Sequence, residues 1–243
     1  MNKKLWYAYF AGYMIYTTVY KIKYKMLKKK SAEEAERYLY SKTVQMSNFI
    51  LKKTKTATKI TGIENIPQGP CVFISNHQGI FDGFLFFGFI NKPIGFIAKK
   101  EIKKLPLISG WLEMLHTVFI DRENIRESVK AINAGVENVK RGYSMIIFPE
   151  GTRSLGGKMK EFKRGSMKLA FNAGVPVVPV TIEGTYKVLE TGNHVTGNKL
   201  HMVIHKPIDV TKLSKEEKSN FAVTVHDIIE TELNKILDEN KNV

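Results

Sequence analysis

The chain has 243 residues, of which 43% are hydrophobic, and it carries a formal net charge of +15. This length suits one substantial domain with an appendage, and the ordinary hydrophobic content excludes a chain that is disordered overall. The single cysteine, Cys71, excludes an intramolecular disulfide and lies in an apolar run typical of a buried thiol without chemistry. No CxxC, HExxH or comparable ligand cluster predicts a metal site.

Most of the charge lies near the N-terminus. Residues 1–60 contain 14 Lys or Arg and three Glu, which gives +11 of the total. Within this segment an uncharged, aromatic-rich stretch, residues 5–20, is flanked by lysines. Aromatic side chains favour the membrane interface, and lysines are attracted to anionic headgroups. We therefore interpret residues 1–30 as a segment that lies in, or dips into, one leaflet of a membrane.

Other interpretations of the N-terminal segment remain open at this point. Sixteen uncharged residues are fewer than the ~20 that span a bilayer comfortably, so only a marginal span is possible. An ordinary helix packed on the core, with a solvated lysine tail, is the plainer alternative. A signal peptide is disfavoured because the stretch lacks a leucine-rich core and a small-residue cleavage site. Nucleic-acid binding is disfavoured because no zinc-finger, helix-turn-helix or RNP-like pattern accompanies the charge.

A second N-terminal helix follows the aromatic stretch. The run Ser31-Ala32-Glu33-Glu34 is a capping box, and it predicts a helix from residue 32 to about residue 52. The two helices form a basic hairpin. The polar stretch from 52 to 59 and the turn residues 67–70 are expected to separate it from the first strand. We therefore divide the chain into a membrane-interacting segment, 1–60, and a larger domain, 61–243.

Short apolar runs then alternate with helical patterns. The clearest helix has an apolar stripe that we assign to the core and that begins at Ile125 and Val129. Alternation of this kind predicts an α/β domain with a mostly parallel central sheet flanked by helices. The predicted strands are 71–75, 94–98, 117–120, 144–148, 176–182 and 200–205, and the predicted helices are 81–90, 101–114, 125–140, 163–173 and a last one capped by Ser214.

A candidate general base follows the first of these strands. His77 and Asp82 are five residues apart, a spacing that puts them on different sides of a helix, so they can meet only across a turn. Gly79 supplies the flexible point of that turn. A carboxylate that holds one imidazole nitrogen leaves the other free to take a proton from a hydroxyl. Since no serine or cysteine nucleophile is evident nearby, we expect the hydroxyl to belong to the substrate.

Two further strand ends carry polar residues. Arg122 follows the strand at 117–120, and the run Glu150-Gly151-Thr152-Arg153 follows the strand at 144–148. Ligands of open α/β sheets gather at the carboxyl ends of strands, and guanidinium groups match phosphate oxygens. A lone arginine is more often part of a surface ion pair, and a lone histidine at a strand end is more often a polar cap. Together, these residues predict a phosphate site beside a base.

Four ordered motifs carry a family resemblance over about residues 61–208. They are NHQGIFD (76–82), FIDR (119–122), FPEGTRS (148–154) and VPVVPV (175–180). In this order they resemble the four motif blocks of the glycerolipid acyltransferases, and most closely those that acylate 1-acylglycerol 3-phosphate. The last block has a structural role by this resemblance. Its prolines predict a poor fit as a central strand that pairs on both sides.

The resemblance implies roles for individual residues. His77 is the general base and Asp82 orients it. Lys99, in the run 98–101, lies near the reacting thioester in the family. The residues that shape the site for the acceptor's phosphate and glycerol are Arg122, Glu150, Gly151, Thr152 and Arg153.

The implied reaction moves a fatty acyl group from a thioester to the sn-2 hydroxyl of 1-acylglycerol 3-phosphate, giving phosphatidic acid. No cofactor is expected beyond the co-substrate, acyl-CoA or acyl-acyl carrier protein. The expected partners are lysophosphatidic acid, this acyl donor and a phospholipid surface, with no nucleic acid. The expected location is the cytoplasmic face of the cell membrane, held peripherally or monotopically through residues 1–30.

Several alternatives remain within this interpretation. The acceptor could be glycerol 3-phosphate, dihydroxyacetone phosphate or another lysolipid. Hydrolysis of the thioester by water is disfavoured by the arginine-rich phosphate site. A non-enzymatic module that binds anionic lipids leaves His77 and Asp82 unexplained. The donor to the developing oxyanion is either Lys99 or a backbone N–H near the catalytic turn, and the sequence does not separate them.

Overall fold

The structure, a computed structural model, describes residues 1–241. Seven strands form one sheet, and helices cover both of its faces. The predicted α/β class with a mostly parallel sheet is confirmed. The strands are β1 (Ala57–Thr61), β2 (Val72–Ser75), β3 (Ile94–Lys99), β4 (Val118–Ile120), β5 (Ser144–Ile147), β6 (Val177–Glu183) and β7 (Lys199–Ile204).

The predicted α-helices are present, although two of them are preceded by a short 3₁₀ turn, and one short helix, Tyr186–Leu189, was not predicted. These turns, Lys100–Lys104 and Arg164–Met167, occupy the first residues of the helices predicted at 101–114 and 163–173. The α-helices are α1 (Lys3–Tyr16), α2 (Thr18–Lys28), α3 (Ala32–Lys53), α4 (Phe81–Phe89), α5 (Pro106–Met114), α6 (Ile125–Lys140), α7 (Lys168–Ala173), α8 (Tyr186–Leu189) and α9 (Lys215–Lys241).

The strand order is β1-β7-β6-β2-β5-β3-β4. All neighbouring strands are parallel except β6 and β7, which are antiparallel. Five strands, from β6 to β4, therefore run in one direction, and their carboxyl ends meet at one edge of the sheet. This edge is where the ligands of open α/β sheets bind.

The first strand was not predicted. The stretch 52–59 was expected to separate the N-terminal helices from the sheet, and this expectation is wrong because β1 begins at Ala57. β1 is an edge strand that pairs only with β7, and its residues alternate between exposed and half-buried. An edge strand tolerates the polar Thr and Lys residues that made this stretch look like a linker.

The strand that contains the VPVVPV block is central. β6 pairs with β2 and β7 at once, so the expectation drawn from its prolines is wrong. Pro179 lies opposite Ile74 of β2, and its carbonyl accepts a hydrogen bond from the His205 N–H at 3.0 Å. Because the N–H and C=O of one strand residue point to the same neighbour, the missing N–H affects only the β7 side. There Pro179 precedes the antiparallel ladder, which begins at Val180.

Two hydrophobic clusters cover the two faces of the sheet. One is formed with side chains of α1, α3 and α4, including Trp6, Ile50 and Phe86. The other is formed with α6, α7 and α9, including Leu169 and Phe221. The N-terminal helices are thus part of the packed structure. This packing agrees with the plainer alternative for the first helix, although it accounts for only one of its faces.

The other face of the N-terminal helices is exposed. A break at Thr17 divides the first predicted helix into α1 and α2. On α2, Val19, Ile22 and Met26 are each at least half exposed, and their spacing puts them on one side of the helix. Within the described residues 1–241, no helix is both long enough and apolar enough to cross a membrane.

The apolar stripe of α6 is only partly buried. Its capping by the Asn124 side chain and its bounds, 125–140, match the prediction. However, Ile125 is 81% exposed and Val129 is 52% exposed, so their assignment to the core is wrong. Val136 and Val139 are buried.

Candidate active site

The predicted base and its carboxylate meet across the turn that joins β2 to α4. The Nδ1 atom of His77 lies 2.6 Å from Oδ2 of Asp82. Asp82 is fully buried in the first turn of α4, and the imidazole remains partly exposed. With Nδ1–H donating to the carboxylate, Nε2 is left as the acceptor, and it has no hydrogen bond to any described residue. The predicted turn geometry is therefore confirmed.

Every backbone N–H of the catalytic turn, residues 77–80, donates to a carboxylate. His77 N donates to Glu150 Oε1 at 2.7 Å. Gln78 N and Gly79 N donate to Asp82 Oδ2 at 2.8 and 3.2 Å. Ile80 N donates to Glu190 Oε1 at 2.7 Å. Three acidic side chains from different parts of the chain thus fix the backbone that carries the base.

The turn is also bound to the end of β6 by side chains. The Asn76 amide exchanges two hydrogen bonds of 2.8 Å with the backbone of Ile182. Gln78 Oε1 accepts from the N–H of Gly184 at 2.8 Å. The hydroxyl of Thr185 donates to the second carboxylate oxygen of Asp82. These bonds continue the β2–β6 pairing after the backbone of β2 has turned away.

Aromatic packing fixes the plane of the imidazole. The ring of Phe148, at the end of β5, stacks on His77 with centroids 4.1 Å apart and planes 16° apart. Phe148 also stacks on Phe96 of β3 at 6.0 Å. A His ring that is held by a carboxylate at one edge and by an aromatic face cannot rotate freely. The base is therefore preorganised before any substrate binds.

The two predicted arginines lie in the loops at this edge of the sheet. Arg122 Nη1 donates to the carbonyl of Gly151, which has a positive φ of 75° that favours glycine. Arg153 Nη1 contacts Glu190 Oε1 at 3.0 Å. Thr152 is exposed, and its side chain has no hydrogen bond within the described chain. Both arginines keep further N–H groups free for an anion.

The side chain of Glu150 binds the backbone on both sides of the site. Its side chain is buried, and its two oxygens accept from the N–H groups of His77 and Lys160 at 2.7 and 3.0 Å. It therefore supports the catalytic turn and the loop after β5, with no oxygen directed to solvent. Burial raises the pKa of Glu150, and the two backbone hydrogen bonds oppose that shift.

Lys99 lies at the end of β3 and is half exposed. Its ammonium group is 3.5 Å from Glu101 Oε1, and no hydrogen bond or ion pair joins it to His77. Its neighbour Lys100 is held by Asp121 at 2.6 Å. Lys99 is thus the less constrained of these two lysines and can move toward a ligand at the carboxyl edge.

The structure adds residues that the sequence analysis missed. Asn76, Gln78, Thr185 and Glu190 all bind the catalytic turn. Asn76 and Gln78 flank His77 in the motif NHQ. Amide side chains directly after a buried strand indicate hydrogen bonds to the backbone of a neighbouring strand. Thr185 and Glu190 are more than 100 residues away in sequence, so only the fold brings them to the turn.

One group of possible metal ligands is found in the described chain, away from this site. Over residues 1–241, the one group of three side chains that could hold a metal ion is His226, Asp227 and Glu230 on α9. None of the predicted site residues belongs to it. The turn presents an oriented general base, and two arginines lie in the loops at the same edge of the sheet.

Comparison with known proteins agrees with this arrangement. A family model described as Acyltransferase matches residues 57–183. A chloroplastic 1-acyl-sn-glycerol-3-phosphate acyltransferase of Brassica napus is 38% identical over 155 residues, 62% of this chain and 45% of that protein. The chain thus spans about half the length of this plant relative.

A bacterial relative and a solved structure are covered more completely. The 1-acyl-sn-glycerol-3-phosphate acyltransferase of Borreliella burgdorferi is 33% identical over 179 residues, 73% of this chain and 72% of that protein. The crystal structure of the 1-acyl-sn-glycerophosphate acyltransferase PlsC from Thermotoga maritima has a TM-score of 0.83 and 29% identity, covering 96% of this chain and 93% of that one. The resemblance of the motifs is confirmed, and the chain belongs to the acyltransferase family.

Proposed function

We propose that this chain transfers a fatty acyl group from an acyl thioester to the sn-2 hydroxyl of 1-acylglycerol 3-phosphate, giving phosphatidic acid. The observation that carries the proposal is the 2.6 Å contact of His77 Nδ1 with the buried Asp82, which leaves Nε2 free to accept a proton. The named activities of the relatives, from bacteria and from a plant chloroplast, agree with it.

The proposed reaction proceeds by direct attack. His77 Nε2 removes the proton of the acceptor hydroxyl as its oxygen attacks the thioester carbonyl. The new ester C–O bond forms, the C–S bond breaks, and the thiolate of the acyl carrier leaves with the electron pair. The proton then passes from His77 to that thiolate, so the base is regenerated and no acyl-enzyme is needed.

The hydrogen bonds of the catalytic turn support Lys99 as the proposed oxyanion donor. Backbone N–H groups near the catalytic turn are one candidate, and those of residues 77–80 already donate to carboxylates. Lys99, the other candidate, lies at the end of β3 and is half exposed. An ammonium group can stabilise the negative charge that develops on the carbonyl oxygen. We therefore assign this role to Lys99 in the proposal.

The acceptor's phosphate is proposed to bind between the two arginine loops. Arg122 is anchored to the carbonyl of Gly151, and Arg153 to Glu190, each through a single Nη1 atom. Their remaining N–H groups can bind phosphate oxygens in a bidentate manner. Burial lowers the pKa of Arg122, and a phosphate dianion next to it would compensate that cost.

The acyl donor is acyl-CoA or acyl-acyl carrier protein, and the acceptor is presented by a membrane. We propose that α1 and α2 hold the molecule on the cytoplasmic face of the cell membrane as a peripheral or monotopic protein. The exposed apolar row on α2 and the +11 charge of residues 1–60 support this orientation. Apolar burial and lysine attraction to anionic lipids act together at such an interface.

The test is transfer of a labelled acyl group to 1-acylglycerol 3-phosphate from each donor, comparing wild type with His77→Ala and with the exposed control His194→Ala. We expect wild type and the control to form phosphatidic acid, and His77→Ala to lose at least ~10³-fold in kcat. Vesicle binding by His77→Ala should equal that of wild type. Activity of His77→Ala equal to that of wild type would contradict the assignment of His77 as the base and the proposed mechanism. Acyl transfer only to glycerol 3-phosphate would show that glycerol 3-phosphate is the acceptor.

A further inference from the structure

Glu190 links two parts of the site that are far apart in sequence. It follows α8, and its side chain is only 10% exposed. The same oxygen, Oε1, accepts from the backbone N–H of Ile80 at 2.7 Å and from Arg153 Nη1 at 3.0 Å. Ile80 belongs to the turn that carries the base, and Arg153 belongs to the loop that we assign to the acceptor's phosphate.

Stability alone does not account for this carboxylate. Its second oxygen, Oε2, is buried and has no hydrogen-bond partner among the described residues. A buried polar atom without a partner is unfavourable for folding. Gly79 packs against this oxygen so closely that a Cβ there would lie 3.0 Å from it. The chain thus retains a costly acidic group directly behind the catalytic turn.

We propose that Glu190 is a positioning residue that sets the distance between the acceptor's phosphate and the base. This inference rests on the proposed function, since it takes Arg153 as a phosphate ligand. By holding one Nη1 atom, Glu190 restricts the movement of the Arg153 guanidinium and leaves its other N–H groups available to the ligand. By holding Ile80 N, it fixes the turn that carries His77.

The geometry gives Glu190 a role in choosing the acceptor. In 1-acylglycerol 3-phosphate, the free hydroxyl is on the carbon next to the one that bears the phosphate ester. A phosphate held by a fixed arginine places that hydroxyl at one distance from His77 Nε2. When Arg153 is free to move, the phosphate is bound less firmly, and the site discriminates less strongly against acceptors with other spacings between phosphate and hydroxyl.

Two substitutions separate the two contacts of Glu190. In Glu190→Gln the amide oxygen can still accept from Ile80 N, but the charge that holds Arg153 is lost. We expect KM for 1-acylglycerol 3-phosphate to rise about 3- to 10-fold with kcat within about twofold, as for one partly exposed charge-assisted hydrogen bond. Glu190→Ala also frees Ile80 N, and we expect kcat to fall by a further ~10-fold.

The control is Glu161→Gln, which removes one negative charge from the loop of Arg153 at an exposed side chain without a hydrogen bond in the described chain. It should leave both kinetic constants unchanged. A double-mutant cycle with Arg153→Ala then tests the route of the effect. If Glu190 acts through Arg153, Glu190→Gln raises KM in the wild-type background and not in the Arg153→Ala background.

Wild-type transfer in the same assay tests the proposed function separately from this inference. With wild-type transfer present, an unchanged KM in Glu190→Gln, or an equal rise in the Arg153→Ala background, overturns the positioning role. A lower melting temperature with unchanged kinetics also overturns it, because Glu190 would then be only structural. Reduced selectivity of Glu190→Gln for 1-acylglycerol 3-phosphate over 2-acylglycerol 3-phosphate, whose free hydroxyl is one carbon further from the phosphate, supports the role.

Discussion

The catalytic turn and the helix α2 differ in how completely the chain itself provides partners for their groups. In the turn, four consecutive N–H groups are paired with buried or nearly buried carboxylates. On α2, three apolar side chains are at least half exposed and contact water instead of the core. All four N–H groups of the catalytic turn therefore find their partners within the chain. Helix α2 has a surface that only a partner can cover, and a membrane interface fits its apolar and basic composition.

This difference predicts which substitutions affect the function of each region. A preorganised turn depends on single atoms, because removing one hydrogen-bond partner leaves a buried group unpaired. An interfacial helix depends on total apolar area and total charge, which add gradually. The surface near α2 combines both contributions, because the ammonium groups of Lys23 and Lys42 each lie within 6 Å of the Tyr38 ring centroid. Single-atom changes should therefore affect catalysis, and area changes should affect membrane binding.

The largest effect is expected from Asp82→Asn. Asp82 accepts from His77 Nδ1, two backbone N–H groups and Thr185, so an amide must direct its own N–H₂ at one or more of these donors. The imidazole then adopts the wrong tautomer or orientation. We expect kcat to fall about 10³- to 10⁴-fold, the scale of a lost carboxylate partner of a catalytic histidine. Steady-state kinetics with labelled acyl donor measures this change.

Vesicle binding is the control for Asp82→Asn. The substitution leaves α2 and its exposed residues untouched, so the partition coefficient onto anionic vesicles should equal that of wild type. A loss of binding together with activity would show that the two regions are not independent. A kcat within tenfold of wild type would contradict the role of Asp82.

The second prediction concerns the exposed row of α2. Replacing Val19, Ile22 and Met26 by Ser removes apolar area from the surface that we assign to the membrane. At about 1 kcal/mol for each partly inserted side chain, partition onto anionic vesicles should weaken about 100-fold. Sedimentation with lipid vesicles measures it, and raised salt should weaken binding of wild type further because the lysines contribute.

A matched control uses three exposed apolar residues elsewhere. Ile125, Val129 and Val223 are also at least half exposed, but they lie on α6 and α9. Their replacement by Ser should leave partition unchanged within about twofold. If the control weakens binding as strongly as the α2 variant does, the membrane-facing surface has been assigned to the wrong part of the molecule.

A smaller kinetic effect is expected at Thr185. Its buried hydroxyl donates to Asp82, and valine has nearly the same shape without that donor. Thr185→Val should lower kcat about tenfold through a less firmly held carboxylate. Thr185→Ser keeps the hydroxyl and should retain most of the activity. Equal kcat values for the Val and Ser variants would exclude the hydroxyl from the catalytic network.

The fold was predictable where hydrophobic periodicity was strong. The helix at 125–140 has the predicted bounds, and the last helix starts with the reciprocal hydrogen bonds of Ser214 and Glu217. β1 was missed because an edge strand pairs on one side and needs no apolar run. The central position of β6 was not predicted because Pro179 lacks an N–H. That N–H is not needed, since the ladder with β7 begins one residue later, at Val180. Sequence patterns report burial, but not which neighbour each N–H faces.

The site was predictable only in its local part. The spacing of His77 and Asp82 across Gly79 indicated their contact, and the structure shows it. The pairing of Arg153 with Glu190 was not predictable, because a carboxylate 37 residues away is one of many in the chain. Contacts of this kind depend on the order of strands in the sheet. That order is set by packing over the whole domain, so no local motif contains it.

The smallest effect concerns a buried polar group that, unlike the backbone N–H groups of the turn, lacks a partner. His201 on β7 is 4% exposed, and its Nε2 has no hydrogen bond within the described chain. Burial lowers the pKa of His201, and nearby Lys199 adds to this shift. As the pH falls below about 6.5, the imidazole therefore binds a proton more readily in the unfolded chain than in the folded chain. The free energy of unfolding decreases as the pH is lowered, until the pKa of His201 in the folded chain is reached.

Glu183 and Glu239 oppose this shift, so the expected contribution is modest. His201→Gln should reduce the loss of unfolding free energy below pH 6.5 by up to about 1 kcal/mol, while the exposed control His194→Gln should leave it unchanged. Denaturant titrations at several pH values measure both. An identical pH dependence in wild type and His201→Gln would contradict the assignment of an unpaired imidazole at this position, and with it the contrast with the paired N–H groups of the catalytic turn.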